Sequence, residues 1–198
     1  MPTPINISAS RSAGILGISQ WSTPVTEWLN IMEAMEPGFC EKNGYKWEPP
    51  VKDEDKSAVF RWGHAFEDSV IKLSEDAQGR KINDRESLCE YQGLQKGENY
   101  ITCHVDGIYE YISGEFSPKI HEGKTTFARA FYKKWGEPGT AHIPAEYQSQ
   151  CQHILMCTGA DEIVVSVLVF PKLRTSGKRL DGKFCTRMSI RSTMNQLG

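Results

Sequence analysis

At 198 residues, with 39% hydrophobic and 24% charged side chains, the chain is long enough to bury one sizeable core and has the make-up of a soluble globular protein. No apolar run reaches the ~20 residues that span a bilayer, and the opening Met1-Pro2-Thr3-Pro4-Ile5-Asn6 lacks the basic start and apolar centre of a signal peptide; both point to the cytoplasm and away from a membrane. A net charge of −2 argues against a protein that merely coats nucleic acid, and six cysteines without a Cys-x-x-Cys pair argue against a zinc or iron–sulfur centre.

The elements follow in chain order, and the chain reads as one domain over residues 1–198. Ser10 is placed to cap a short helix ending near Gly17. Pro24 opens a second helix, with Val25, Trp28, Leu29, Met32 and Met35 on one apolar face. Residues 36–54, which hold Gly38, Gly44, Pro49, Pro50 and the acidic run Asp53-Glu54-Asp55, read as a loop. A third helix is expected from Ser57 to Leu73, burying Val59, Trp62, Phe66, Val70 and Leu73.

From Gly79 to Tyr111 the pattern changes to short alternations punctuated by glycine, as antiparallel strands would give. Lys119 to Thr125 reads as a further strand. Helices return at Phe127–Trp135 and at Pro144–Thr158, the latter closing on Gly159. The apolar run Ile163–Phe170 has the length of a buried strand. The order predicts an α/β protein with a central mixed sheet flanked by helices. The cysteines read as reduced, buried thiols.

The chemistry concentrates in His121-Glu122-Gly123-Lys124-Thr125. Side chains two apart on a strand share a face, so Glu122 and Lys124 present a carboxylate and an ammonium together. Gly123 between them leaves its carbonyl accessible. Oxygen ligands suit a hard divalent cation, and the lysine can orient water or stabilise developing phosphate charge. A second Glu-x-Lys, Glu54-Asp55-Lys56, falls in the charged loop and reads as solvated.

Sixteen residues before Glu122, Asp106 precedes Gly107 at a strand end and can supply a second carboxylate, or simply cap a turn. Glu67 sits mid-helix after Gly63, where a glycine costs ~1 kcal/mol unless close approach requires it. It is either a third acid for the site or an exposed helical glutamate. Gln148, Gln150 and Gln152 lie on the helix whose apolar face is Tyr147, Cys151, Ile154 and Leu155. From Lys172 to Arg191 seven basic residues face one acid, Asp181, so that segment can track a phosphate backbone or form a solvated face.

These pieces, in this order, resemble the PD-(D/E)XK nucleases, and more narrowly the lambda-exonuclease or YqaJ-like viral recombinase family. The matching stretches are Ile7-Ser8-Ala9-Ser10, Gly63 to Glu67, Val105-Asp106-Gly107, Glu122-Gly123-Lys124, and Tyr147-x-x-Gln150-x-Gln152 followed by Thr158-Gly159. The resemblance implies a restriction-endonuclease-like core. It implies Mg2+ or Mn2+, one or two ions, bound by Asp106, Glu122, the Gly123 carbonyl and Glu67. Lys124 would position the attacking water and Gln152 would lie beside the metal.

The resemblance further implies a DNA-phosphate contact from Ser10, with Arg11 near it, and the expected DNA contacts also take in Gln150 and, from the run of basic charge, Lys172, Arg174, Lys178 and Arg179. The expected activity is exonucleolytic hydrolysis of linear double-stranded DNA, 5′ to 3′, in phage-type recombination within a bacterial host. The expected partners are DNA ends, a single-strand annealing protein and further copies of the chain in a ring trimer. A sequence- or structure-specific endonuclease on the same fold, and a non-catalytic DNA-binding protein, are the alternatives. The stretch before Ile7 lacks the arginine that contacts a terminal 5′ phosphate in the family's best-known phage member, and Arg11 is the substitute at hand.

Overall fold

The structure, a computed structural model, describes residues 7–50, 63–83, 101–115, 117–170 and 183–191. The chain enters through β1 (Ile7–Ser8), a 3-10 turn (Ala9–Arg11) and α1 (Ser12–Ile15), then α2 (Pro24–Met35) and α3 (Phe39–Lys42). After α4 (Glu67–Gln78) come β2 (Ile82–Asn83), β3 (Ile101–Thr102), β4 (Gly107–Tyr109) and β5 (Lys119–Phe127). The remaining elements are α5 (Ala128–Lys134), α6 (Ala145–Thr158), β6 (Glu162–Phe170) and β7 (Lys183–Arg191).

Five strands form one sheet in the order β2-β4-β5-β6-β7. Only β5 and β6 run parallel; the other three pairings are antiparallel. The expected mixed sheet flanked by helices is therefore present. β6 lies between two partners, and its β-branched run Ile163-Val164-Val165 is buried on both faces, as an inner strand of this kind requires. Cys151, Ile154 and Leu155 of α6 belong to the core with Ile120, Ile163, Val165 and Val167. Burying each such aliphatic side chain contributes ~1.5–3 kcal/mol. On the opposite face, Ser74 of α4 is hydrogen-bonded at 2.7 Å to both Tyr109 and Ser166.

Several local expectations are corrected. Ser10 does not cap the first helix: it lies inside the 3-10 turn, and its hydroxyl pairs with Ser8 at 3.0 Å. The second helix begins as expected, with Thr23 accepting from the Thr26 N–H at 3.1 Å ahead of Pro24. Its buried residues are Glu27 and Leu29, while Val25 and Trp28 are exposed. Glu27 turns inward because Arg11 lies 3.8 Å away, and Trp28 instead meets the rings of Phe39 and Tyr45 edge-on.

The loop expected over 36–54 contains the short helix α3, whose start is held by Glu33 accepting from the N–H groups of Gly38 and Cys40. Residues 57–62 of the third expected helix lie outside the described residues. The chain is helical at 63–65, kinks at Phe66, and continues as α4 to Gln78, five residues past Leu73. Phe66 and Leu73 are exposed; Val70 and Ser74 face the sheet. A buried serine cannot be seen in an apolar pattern. In the 79–111 region β2 and β4 pair antiparallel as expected, whereas β3 pairs in parallel with β1 in a separate two-stranded sheet.

Candidate active site

β4 and β5 pair antiparallel with Gly107 opposite His121 and Ile108 opposite Ile120. One further step of that register sets Asp106 opposite Glu122. Asp106 Oδ2 accepts from the Gly123 N–H at 2.8 Å, which ties the segment ahead of β4 to the middle of β5. Gly107 is not the turn glycine the sequence implied: it opens β4, and a Cβ there would stand 2.2 Å from Cγ2 of Ile82. It is glycine because β2 passes against it.

Glu122 is almost wholly buried. Its Oε1 accepts from the Lys124 ammonium and, at 2.7 Å, from the amide of Gln150 on α6. Burial opposes the charge on Lys124, but Glu122 and then Asp106 outweigh it and hold the ammonium well above the usual lysine range. The same ammonium lies 5.3 Å from the centre of the Tyr147 ring, a cation–π distance. Tyr147 rests on Trp135 at 5.5 Å, so aromatic side chains from α6 and the end of α5 back the lysine. Lys124 is thus a positive charge held between the Glu122 carboxylate and the Tyr147 ring.

The other face of β5 carries His121. It is fully buried against Tyr109, and neither ring nitrogen has a hydrogen bond. Burial is the main influence, opposed by Asp106 and reinforced by Lys124, and it lowers the imidazole pKa to about 4. The ring is neutral at pH 7. Cys151 lies beneath the site, where burial and then Glu122 push its thiol pKa up, leaving it an unreactive core thiol.

The donor set fits a hard divalent cation in kind. The bonds to Gly123, Lys124 and Gln150 engage one oxygen on each of Asp106 and Glu122, and the ions of this class are held by one or two carboxylates with water and phosphate oxygens. Among the described residues, no three His, Cys, Asp or Glu side chains are gathered tightly enough to hold an ion. Glu67, expected as a third acid, stands at the start of α4, the helix that packs on β5 and β6. Its Oε2 is 3.7 Å from Nδ1 of His64. Gly63 packs beside Thr125 of β5, but a Cβ there would make only an ordinary 3.5 Å contact.

Gln150, expected on the DNA side, is the glutamine that reaches Glu122. Gln152 is about 200° further around the helix. Ser10 is exposed on the 3-10 turn, and Arg11 is drawn toward Glu27. Lys172, Arg174, Lys178 and Arg179 lie outside the described residues, so the basic segment has no structural account. Sequence reasoning misses Tyr147 as a partner of Lys124, although the tyrosine lies three residues before Gln150 and shares its helix face.

The fold resembles a phage-related exonuclease from Haemophilus somnus 129PT, with 16% identity, 98% of this chain and 88% of that chain covered, and a TM-score of 0.50. An alkaline exonuclease, LHK-Exo, from Laribacter hongkongensis aligns at 13% identity over 92% of this chain and 78% of its own, with a TM-score of 0.48. No curated protein sequence matches. The model of the YqaJ-like viral recombinase domain matches residues 4–161, most of the sequence, and the chain belongs to that family.

Proposed function

We propose that this chain is a metal-dependent deoxyribonuclease that degrades linear double-stranded DNA from its ends, 5′ to 3′, in phage-type recombination. The observation that carries the reading is the convergence of Asp106, Glu122 and Lys124 on two neighbouring strands, with Gln150 bonded to Glu122. Family membership and the fold shared with a phage-related exonuclease support it.

Asp106, Glu122 and the Gly123 carbonyl would hold Mg2+ or Mn2+, with Glu67 the further acid expected there. When bound, such an ion polarises the scissile phosphate and makes water a stronger nucleophile. Lys124, kept protonated by Glu122 and Asp106, donates a hydrogen bond that orients the attacking water and offsets charge building on the phosphate. Gln150 fixes the Glu122 carboxylate, and Tyr147 limits the arc of the lysine. Asp106 is held by the Gly123 N–H, which sets its carboxylate beside β5.

The test uses purified protein, Mg2+, a linear duplex labelled at either end and a closed circle. Loss of the linear duplex alone, with label released first from the 5′ end, is the expected result. Asp106→Asn is the control: it keeps an acceptor oxygen for Gly123 while removing the charge, and activity should fall on the order of 10²–10³-fold. Cutting of the circle would identify an endonuclease instead. No cleavage of either DNA in Mg2+ or Mn2+ would overturn the reading.

A further inference from the structure

His153 and Cys157 stand one turn apart on the same face of α6, beyond the reach of the acidic site. Nε2 of His153 lies 3.0 Å from the Thr102 carbonyl, so that nitrogen carries the proton and donates it, leaving Nδ1 for Cys157. Cys103 follows Thr102 directly, so the contact between His153 and the Thr102 carbonyl brings Cys103 to the turn of α6 that carries Cys157. Neither cysteine is in a disulfide; Cys157 is buried, while Cys103 is half-buried.

Two thiols gathered beside one imidazole are poorly explained as packing alone. The Cys103 hydrogen bond, with help from His153 and against burial, holds the Cys157 thiol well below the usual thiol range. That is the environment in which a cysteine is a thiolate and reacts with oxidants. The position also matters. Cys103 lies three residues before Asp106, and Cys157 lies on the helix that delivers Gln150 to Glu122.

We propose that Cys103 and Cys157 are a peroxide-oxidisable thiol pair, a modification site whose disulfide ties the segment leading to Asp106 onto α6. The Cys157 thiolate attacks one oxygen of the peroxide and the O–O bond breaks. The hydroxide released takes the imidazolium proton of His153 and leaves as water. The Cys103 thiol then attacks the sulfenic sulfur, forming the S–S bond as its own proton and the sulfenic hydroxyl depart as a second water. Two thiols are oxidised, one hydrogen peroxide is reduced, and no further reactant is required.

The experiment treats the intact protein with stoichiometric hydrogen peroxide, alkylates it under denaturing conditions and maps peptides without reductant. The expected result is a peptide pair joined through Cys103 and Cys157, formed about tenfold or more faster than oxidation of the buried Cys40. Cys157→Ser should abolish the link, whereas Cys103→Ser should leave a sulfenic acid at position 157 that dimedone traps. His153→Gln should slow the link while the folded variant keeps its melting transition. Absence of the joined peptide, a link through another cysteine, or oxidation no faster than that of Cys40 would each overturn the proposal. The wild-type mapping stands by itself if a variant fails to fold.

Discussion

The carboxylate of Glu122 is bonded to the ammonium of Lys124 on one face of β5, and the pair is largely withdrawn from water, with side-chain exposures of 2% and 17%. Breaking such a pair from one side leaves an uncompensated buried charge. Lys124→Ala is therefore expected to destabilise the protein by about 3–5 kcal/mol as well as to inactivate it. Combining it with Glu122→Gln, which removes the stranded charge, should return a large part of that stability but no activity. Urea unfolding of the two single variants and the double variant measures the coupling. A Lys124→Ala protein as stable as wild type would mean the pair is not buried as described.

The two glutamines of α6 separate by function. Gln150 fixes Glu122 through a single 2.7 Å bond, and loss of an outer partner that orients a ligand typically costs 10–100-fold. Gln150→Ala should lower kcat by about that factor with KM nearly unchanged, because the amide holds the carboxylate and not the DNA. Gln152→Ala should cost less. The reverse order, measured with one linear duplex at saturating Mg2+, would return the role to Gln152.

The site is legible in the sequence because its parts are local: a strand alternation puts Glu122 and Lys124 on one face, whatever else the chain does. The choice between the glutamines turns on one geometric step. Gln150 lies three residues after Tyr147 and four before Ile154, on the helix face that meets Glu122. Non-local relations are invisible in the pattern. Nothing in the alternation around Ile101 says that it pairs in parallel with Ile7, and nothing in an apolar tally marks Ser74 as buried between Tyr109 and Ser166. Helix α2 shows the same limit from the other side. Its most apolar stripe reads as core-facing, yet an ion pair with Arg11 draws Glu27 inward and leaves Val25 to solvent.

Acid should weaken the fold in a defined window. Arg80 grips Glu115 through both guanidinium nitrogens, at 2.9 and 2.7 Å, and the Ile112 N–H adds a third bond. These contacts, the Arg80 bonds above all, hold the Glu115 carboxyl below its usual range. A depressed carboxylate stabilises the folded state at every pH above its unfolded value of about 4.3 and loses that contribution as pH falls through the folded value. The urea midpoint should therefore drop between pH 5 and the acid side of pH 4. Glu115→Gln should start lower at pH 7 and show a shallower fall. Parallel pH curves for the two proteins would remove Glu115 as a contributor.

Two glycines at the site are fixed by space, and their alanine variants should fail differently. At Gly107 a Cβ would fall 2.2 Å from Cγ2 of Ile82 and 3.4 Å from the Asn83 carbonyl, and a β-branched neighbour has little rotamer freedom to yield. Gly107→Ala must push β2 off β4, at a cost of about 1–3 kcal/mol, and trimming Ile82 to alanine in the same chain should return part of it. At Gly123 the nearest atoms are softer: Val70 Cγ1 at 3.2 Å, Asp106 Oδ2 at 3.5 Å and His121 Cε1 at 3.6 Å. Shifts of a few tenths of an ångström accommodate that methyl, so stability should change less than for Gly107→Ala. Activity should change more, because relieving the 3.2 Å contact with Val70 shifts the part of β5 whose Gly123 N–H holds Asp106 in place. Thermal melts beside turnover on a linear duplex distinguish the two. If Gly123→Ala keeps full activity, the close approach of Asp106 to β5 is not what sets the site.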